Sequence, residues 1–390
     1  MSTPATSDDM STSRTLQAGE IIKPYVTNEQ AIELVHRLYG LTVTSIQEMV
    51  SYDDRNFHVQ VENSHTNPNI SSLWPHGYTL KVLNRIESKM NKFVEEQNSL
   101  QQYLANKGLA VPVPIPNVYG SMWSTEELPV GCEPNKHGTQ LDEFAVRLFT
   151  FLPGTPMINV PYTEDVLFQF GQFLGRFHSC IQGFHSKVLE SRISIWSLNK
   201  VPSIEEFMFA TEEKEKRELV MDIIEAFKNR VLSTVDTLPQ AIIHGDFNEN
   251  NVLVLVDAES KIPQYKVYGL LDFGDIHKAP LMFDVAMMMA YAMIECTTMD
   301  PLMAAGHALA GYLSEKTLTE EESSLLLVCM AARCCQSLVM GAYTHYMDPT
   351  NSYVLQTSRK GWILLRKLWK ADWDSLYSRW KDIIRSKNKK

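Results

Sequence analysis

Residues 241–256 read AIIHGDFNENNVLVLV, and residues 267–280 read VYGLLDFGDIHKAP. The apolar runs VLVLV and KVYGLL have the length of strands, and the nine residues between them, DAESKIPQY, suit a hairpin-like return. Such a return brings the start of the first run beside the end of the second. Asp246 and Asn251, five residues apart just ahead of VLVLV, then converge on Asp272. Three oxygen-bearing side chains in one small volume suit a hard cation such as Mg2+, which takes one or two carboxylates and completes its shell with water and substrate phosphates. That donor set points to phosphoryl chemistry. Taken singly, Asp246 and Asn251 could instead cap backbone groups of a turn.

The patterning of the chain changes at Pro153-Gly154. Ahead of it, residues 28–40 (NEQAIELVHRLYG) carry apolar positions at helical spacing, with Asn28 where an N-cap would sit and Gly40 where a helix would stop. FHVQV (57–61) and YTLKVL (78–83) alternate in the period-two manner of half-buried strands, and DEFAVRLFTFL (142–152) reads as another strand. Residues 85–107 read as a polar-faced helix closed by Gly108. VPVPIP (111–116) cannot be helical, because its prolines lack N–H donors and push preceding residues toward extended geometry. Beyond residue 163 helical patterns dominate, interrupted by strands only over 241–271. The expected fold class is α+β with two lobes: a small β-rich N-terminal lobe over 25–152 and a large, mainly helical C-terminal lobe over 153–390, with a disordered leader over 1–24.

A chain of 390 residues can bury a substantial core. Its formal charge of −10 leaves no electrostatic footprint for nucleic acid, and the basic end KDIIRSKNKK reads as a solvated tail. Six cysteines without paired spacing suggest neither a zinc site nor a disulfide framework, and reduced cysteines fit a cytoplasmic protein. The N-terminal stretch has no apolar segment and carries Asp8 and Asp9, which argues against a signal or transit peptide. SLLLVCMAARCCQSLVMGAY (324–343) is interrupted by Arg333 and Gln336, so a buried helix explains it better than a bilayer span. Neither a nucleic-acid nor a membrane partner is expected.

HGDFNENN matches the HGDxxxxN pattern of the aminoglycoside and choline phosphotransferases, and LDFGD, followed by Pro280 and FDVA, matches that family's LDF-x-D segment. The chain resembles this family over about residues 25–385; two motifs in the right order, separated by a strand–turn–strand unit, make the likeness specific. The resemblance implies a protein-kinase-like fold and Mg2+-dependent transfer of a nucleotide γ-phosphate to a small-molecule alcohol. It implies that Asp246 is the catalytic base or hydroxyl-orienting group and that Asn251 and Asp272 are metal ligands. His244 is expected to hold the catalytic loop by hydrogen bonding, and Asp284 to anchor it from a helix N-terminus. Asp275 would either neutralise a substrate amine or order the metal loop. Lys81 takes the position of the family's strand lysine, which reaches the α- and β-phosphates, with Glu95 as its helix partner and Glu96 as the neighbouring candidate. RLFTFLPG (147–154), with Phe149 and Phe151, would offer backbone hydrogen bonds to the nucleotide base. SYDDRNFHV (51–59), LDFGD and CCQSLVMGAY (334–343) resemble more closely a branch of the family that uses GTP to phosphorylate the side-chain hydroxyl of 5-hydroxylysine. Main-chain base contacts leave ATP open as the donor.

SYDDRNF departs from the kinase pattern, since it has no glycine where GxGxxG lets backbone N–H groups approach phosphate. Ser51 and Asn56 are the expected donors there, with Asp53 and Asp54 facing outward or paired with Arg55. Other readings of the chain are a kinase for another hydroxylated amine (choline, an aminoglycoside or a homoserine-like amino acid) and a catalytically inactive kinase-like binding module. A metal-dependent phosphohydrolase normally needs several His or Asp ligands for two metals, and no matching His pair stands in the motif region.

Overall fold

The computed structural model describes residues 20–51, 53–131, 140–257, 259–260, 263–347, 349 and 358–387, so the expected leader lies outside the described residues up to residue 19. The chain divides into two compact units, Met1–Asn106 with Pro112–Leu152 and Lys107–Val111 with Pro153–Lys390.

The first unit opens with α1 (Asn28–Tyr39). Its N-cap is Thr27 rather than Asn28: the Thr27 hydroxyl accepts the Gln30 N–H, and the Gln30 side chain accepts the Thr27 N–H. Gly40, at φ 61°, ends it in the left-handed conformation. Ala31, Leu34, Val35 and Leu38 bury the inner stripe of α1 in one core with Phe57, Val59, Leu80, Val82, Val146 and Leu148 of the sheet. Each fully buried Val, Leu or Phe side chain of this set contributes about 1.5–3 kcal/mol. The sheet holds β1 (Leu41–Met49), β2 (Arg55–His65), β3 (Tyr78–Val82), β4 (Ser124–Pro129) and β5 (Leu141–Thr150). All pairings are antiparallel, in the order β1-β2-β3-β5-β4. The unexpected strands, β1 and β4, are the two edges. Strand β1 is largely exposed and β4 buries only its last two residues, so neither carries a clean apolar alternation. The helix read from residue 85 begins later, as α2 (Asn91–Asn106), because Asn84 Oδ1 accepts the N–H groups of Ile86 and Glu87 and turns the chain first.

The second unit contains α3 (Glu164–Cys180), α4 (Lys187–Glu190), α5 (Lys214–Phe227), α6 (Leu281–Glu295), α7 (Pro301–Leu313), α8 (Glu320–Met347), α9 (Ser358–Trp369) and α10 (Trp373–Lys387). Between them, β6 (Thr155–Pro156), β8 (Val252–Asp257) and β9 (Gln264–Leu270) form one sheet, and β7 (Gln240–Ile243) pairs with β10 (His277–Pro280). The β8–β9 return sets Val252 opposite Leu270 and Asp257 opposite Gln264. Helix α8 is long and apolar enough to cross a membrane, but 89% of its apolar window is buried inside the fold. Helices α3 and α7 pack through glycines: a Cβ at Gly171 would meet Ala308 O, and one at Gly311 would meet Phe168 O, both at 1.8 Å. This close crossing sets His178 of α3 beside Tyr312 of α7.

Candidate active site

The loop leaving β7 hangs from a buried carboxylate. Asp284, in the first turn of α6, accepts the N–H of His244 at 2.8 Å and that of Gly245 at 2.9 Å, one on each oxygen. His178 Nε2 lies 3.2 Å from the same carboxylate. Burial alone would push the Asp284 carboxyl up; the His178 contact, His244 and the Gly245 amide outweigh it and hold the group below its usual value. Gly245 has φ 79°, and a Cβ there would meet Asp275 O at 2.2 Å, so only glycine lets this loop pass the segment after β9.

His244 joins the two motif segments. Its Nε2 is 3.0 Å from Leu271 O, and its Nδ1 is 3.3 Å from the backbone nitrogen of Asp246. A carbonyl can only accept and an amide can only donate, so the ring is the neutral Nε2–H tautomer. Burial pushes its pKa down, in keeping with that form.

Asp246 is fixed through both oxygens. Oδ1 accepts from Arg333 Nη2 at 2.7 Å, and Oδ2 accepts from Asn251 Nδ2 at 2.8 Å. The same Asn251 nitrogen donates to the Asp246 carbonyl at 2.9 Å. Leu271 N–H donates to Asn251 O at 2.7 Å and so brings Asp272 to the same place. Asp272 is exposed, and among the described residues it is the only non-glycine at positive φ, 52°. Such strain concentrates where a side chain must be aimed. Burial pushes the Asp246 carboxyl up and the Asp272 charge adds to this, while the Arg333 guanidinium pulls it down. The three motif residues therefore converge. Among the described residues no group of three or more His, Cys, Asp or Glu side chains could hold a metal by itself. Asn251 and Asp272 supply two hard oxygens, which fits an ion of the Mg2+ type that also takes phosphate and water.

Asp275 is tied to the segment that follows α4. Its Oδ1 accepts from Ser194 Oγ at 2.7 Å, Arg192 donates to Gly274 O at 2.6 Å, and Ser197 Oγ lies 3.0 Å from His277 Nε2. The segment Arg192–Ser197 also meets α8, where Arg333 donates to Trp196 O at 3.1 Å and Gln336 to Ile195 O at 2.7 Å. Arg333 further donates to the Tyr291 hydroxyl at 3.2 Å and to Gln336 Oε1 at 2.9 Å. Sequence reasoning used Arg333 only to exclude a membrane span. A charge inside an apolar helix demands a buried partner, and that was the signal available. Arg192 and Ser194 carried none. Glu249, in the same loop as Asp246, is buried and accepts from Asn250 Nδ2 at 3.0 Å; burial, with Glu295 and Asp246 adding, pushes its pKa up to about 8.

In the first unit, Lys81 lies 3.0 Å from Asp54. Asp54 also accepts the Asn84 N–H at 2.7 Å, so it turns inward, and Arg55 pairs with Glu48 instead. Glu95 is exposed on α2 and Glu96 is half-buried, and the Asp54 beside Lys81 belongs to the β1–β2 connection. Asn56 and Arg147 stand opposite Lys81 on the two neighbouring strands and share its face. The Ser51 hydroxyl is committed to Asp54 O within the turn, not free for phosphate. Phe151 donates its N–H to Gly77 O at 3.1 Å and accepts from Trp74 Nε1 at 2.7 Å, so its main chain is occupied and the expected base contact is not available there. Phe149 lies buried within the sheet, opposite Thr79 and bridged to Pro114.

A kinase-like pair of units with this loop geometry defines a phosphotransferase. Residues 72–316 match the model of the phosphotransferase enzyme family, and the chain belongs to that family. It is a phosphotransferase with an alcohol group as acceptor. Hydroxylysine kinase of Bos taurus is 32% identical over 358 residues, which cover 90% of this chain and 92% of the relative. Among solved structures, a microcompartment-associated aminopropanol kinase aligns with TM-score 0.62 at 14% identity, covering 86% of this chain and 96% of that one. An amicoumacin kinase in complex with AMP-PNP, Ca2+ and Ami aligns with TM-score 0.61 at 14% identity, covering 90% and 97%. At that identity both show a shared fold.

Proposed function

We propose that this chain transfers the γ-phosphate of GTP, as its Mg2+ complex, to the side-chain hydroxyl of 5-hydroxy-L-lysine. The acceptor is supported by likeness to hydroxylysine kinases over most of the chain, and GTP is the donor that the motif resemblance implies. The observation that carries the chemistry is the junction in which Asn251 donates to Asp246 while its own carbonyl accepts from Leu271, one residue before Asp272. Asp246, held by Arg333 and Asn251, orients the acceptor hydroxyl and takes its proton as the O–P bond forms. Asn251 and Asp272 would hold the ion, which when bound neutralises charge on the phosphate oxygens. Lys81 would meet the α- and β-phosphates from its strand, with Asp54 fixing the ammonium. His244 and Asp284 keep the loop in register and stay out of the proton path.

A coupled assay of the purified protein with GTP and ATP against hydroxylated amino acids and amines tests this reading. It expects the highest kcat/KM for 5-hydroxylysine with GTP. Preference for choline, an aminoglycoside or a homoserine-like acceptor would move the protein to another branch of the family. Nucleotide binding without transfer to any of these acceptors would favour a binding module.

A further inference from the structure

Two buried polar atoms in the second unit lack a hydrogen-bond partner and belong to neighbouring residues: Glu249 Oε2 and the Tyr162 hydroxyl. Glu249 is 2% exposed and Tyr162 4%. Glu249 acts electrostatically on Tyr162, and the segments that carry them meet along the backbone. The Glu249 carbonyl accepts from Ile158 N at 3.1 Å, and the Tyr162 carbonyl accepts from the Thr298 hydroxyl, just beyond the end of α6. Glu295, the last residue of α6, is half-buried and acts electrostatically on both. A buried carboxylate oxygen and phenol without partners cost more than a made hydrogen bond returns, so such orphan groups call for a ligand. The carboxyl oxygens of Glu249 and Glu295 and the phenol oxygen can each accept, and a cation bound beside Glu249 favours its ionised form. A group with several N–H donors and a positive charge satisfies them, and a primary ammonium carries three.

The position of this cluster relates it to the reaction. Tyr291 stands one turn before Glu295 on α6, and its hydroxyl accepts from Arg333, which in turn holds Asp246 at 2.7 Å. Along the helix that is a separation of about 6 Å. We propose that Glu249, Glu295 and Tyr162 form a subsite for an acceptor ammonium separated from the reacting hydroxyl by several bonds. In 5-hydroxylysine this is the α-ammonium, not the amine on the carbon next to the hydroxyl. The inference rests on the functional reading above and adds a binding role for Glu249, the loop residue three beyond Asp246.

The test compares 5-hydroxylysine with its Nα-acetyl derivative, in kinetics and in calorimetric binding, on the full-length protein and on Glu249→Gln and Tyr162→Phe. In the wild type, acetylation raises KM and Kd. Glu249→Gln raises KM for 5-hydroxylysine about tenfold to a hundredfold, the scale of a lost charge-assisted hydrogen bond, and Tyr162→Phe about fivefold. Both leave nucleotide KM within about twofold, and neither changes kcat/KM for the acetyl derivative by more than that. Equal losses on both acceptors, or an unchanged KM and Kd for 5-hydroxylysine in both variants, would overturn the subsite and assign the orphan atoms to a buried water. Binding that depends on Glu249 but leads to no transfer would uphold the subsite and refute the kinase reading; failure of the wild type to bind 5-hydroxylysine at all would overturn the subsite.

Discussion

Asp246 is held by an arginine 87 residues away, and that pairing sets what substitution at Arg333 does. Four of the five guanidinium donors are used, on Tyr291, Trp196, Gln336 and Asp246. A lysine has no planar fork to reproduce this. Arg333→Lys should therefore lower kcat about tenfold to a hundredfold with nucleotide KM unchanged, because only the aim of Asp246 is disturbed. Arg333→Met leaves the carboxylate buried without its counter-charge and should also cost about 3–5 kcal/mol of stability, read from urea unfolding. The motif residues were legible because HGDFNENN and LDFGD are local. Arg333 was not, because its role exists only once α8 packs against Trp196 and Tyr291. Lys81 shows the same division: period-two alternation placed it on the right face, but its pairing with Asp54 depends on a turn closed by Ser51 and Asn84.

The loop after β7 is an element defined by what it is tied to. Its backbone is suspended from Asp284 on α6, riveted by His244 to the end of β9, and pressed against Asp275 at Gly245. Gly245→Ala forces a Cβ onto a carbonyl oxygen in a left-handed residue, so it should destabilise the fold by roughly 2 kcal/mol or more and lower kcat. A thermal shift paired with kinetics checks both, and an unchanged Tm would show that the loop is not held so closely. Strands β2, β3, β5, β8 and β9 could be read from alternation or from short apolar runs. The edge strands β1 and β4 could not, since one face and one edge of each meet water and the pattern dissolves.

Across the whole molecule, buried histidines make stability depend on pH. Burial lowers the pKa of His244 and His277 in the folded state, while in the unfolded chain both titrate near the ordinary value of 6.5. As pH falls through that value the unfolded chain takes up protons that the folded chain refuses, so stability is full above it and lost below it. Asp284, held below its ordinary pKa, adds a loss at still lower pH. Glu249, pushed up to about 8, contributes in the opposite sense over the same range. In Glu249→Gln, which removes that contribution, the midpoint of urea unfolding should decline from pH 7.5 to pH 5, and a flat profile there would mean that these rings are not held neutral. The division of the chain near Pro153 could be read from the change of periodicity. The assignment of residues 107–111 to the second unit could not, because it rests on Leu270 N–H donating to Ala110 O at 3.0 Å, a contact across 160 residues of chain. The central claim is that Asp246 acts on the acceptor while Asn251 and Asp272 hold the metal–nucleotide. Steady-state kinetics of Asp246→Asn and Asp272→Asn with 5-hydroxylysine, GTP and Mg2+ test it most directly. The expected result is a kcat loss of about 10²–10⁴ in Asp246→Asn with nucleotide KM unchanged, and a raised nucleotide KM with lowered kcat in Asp272→Asn. Wild-type turnover in either variant would contradict it.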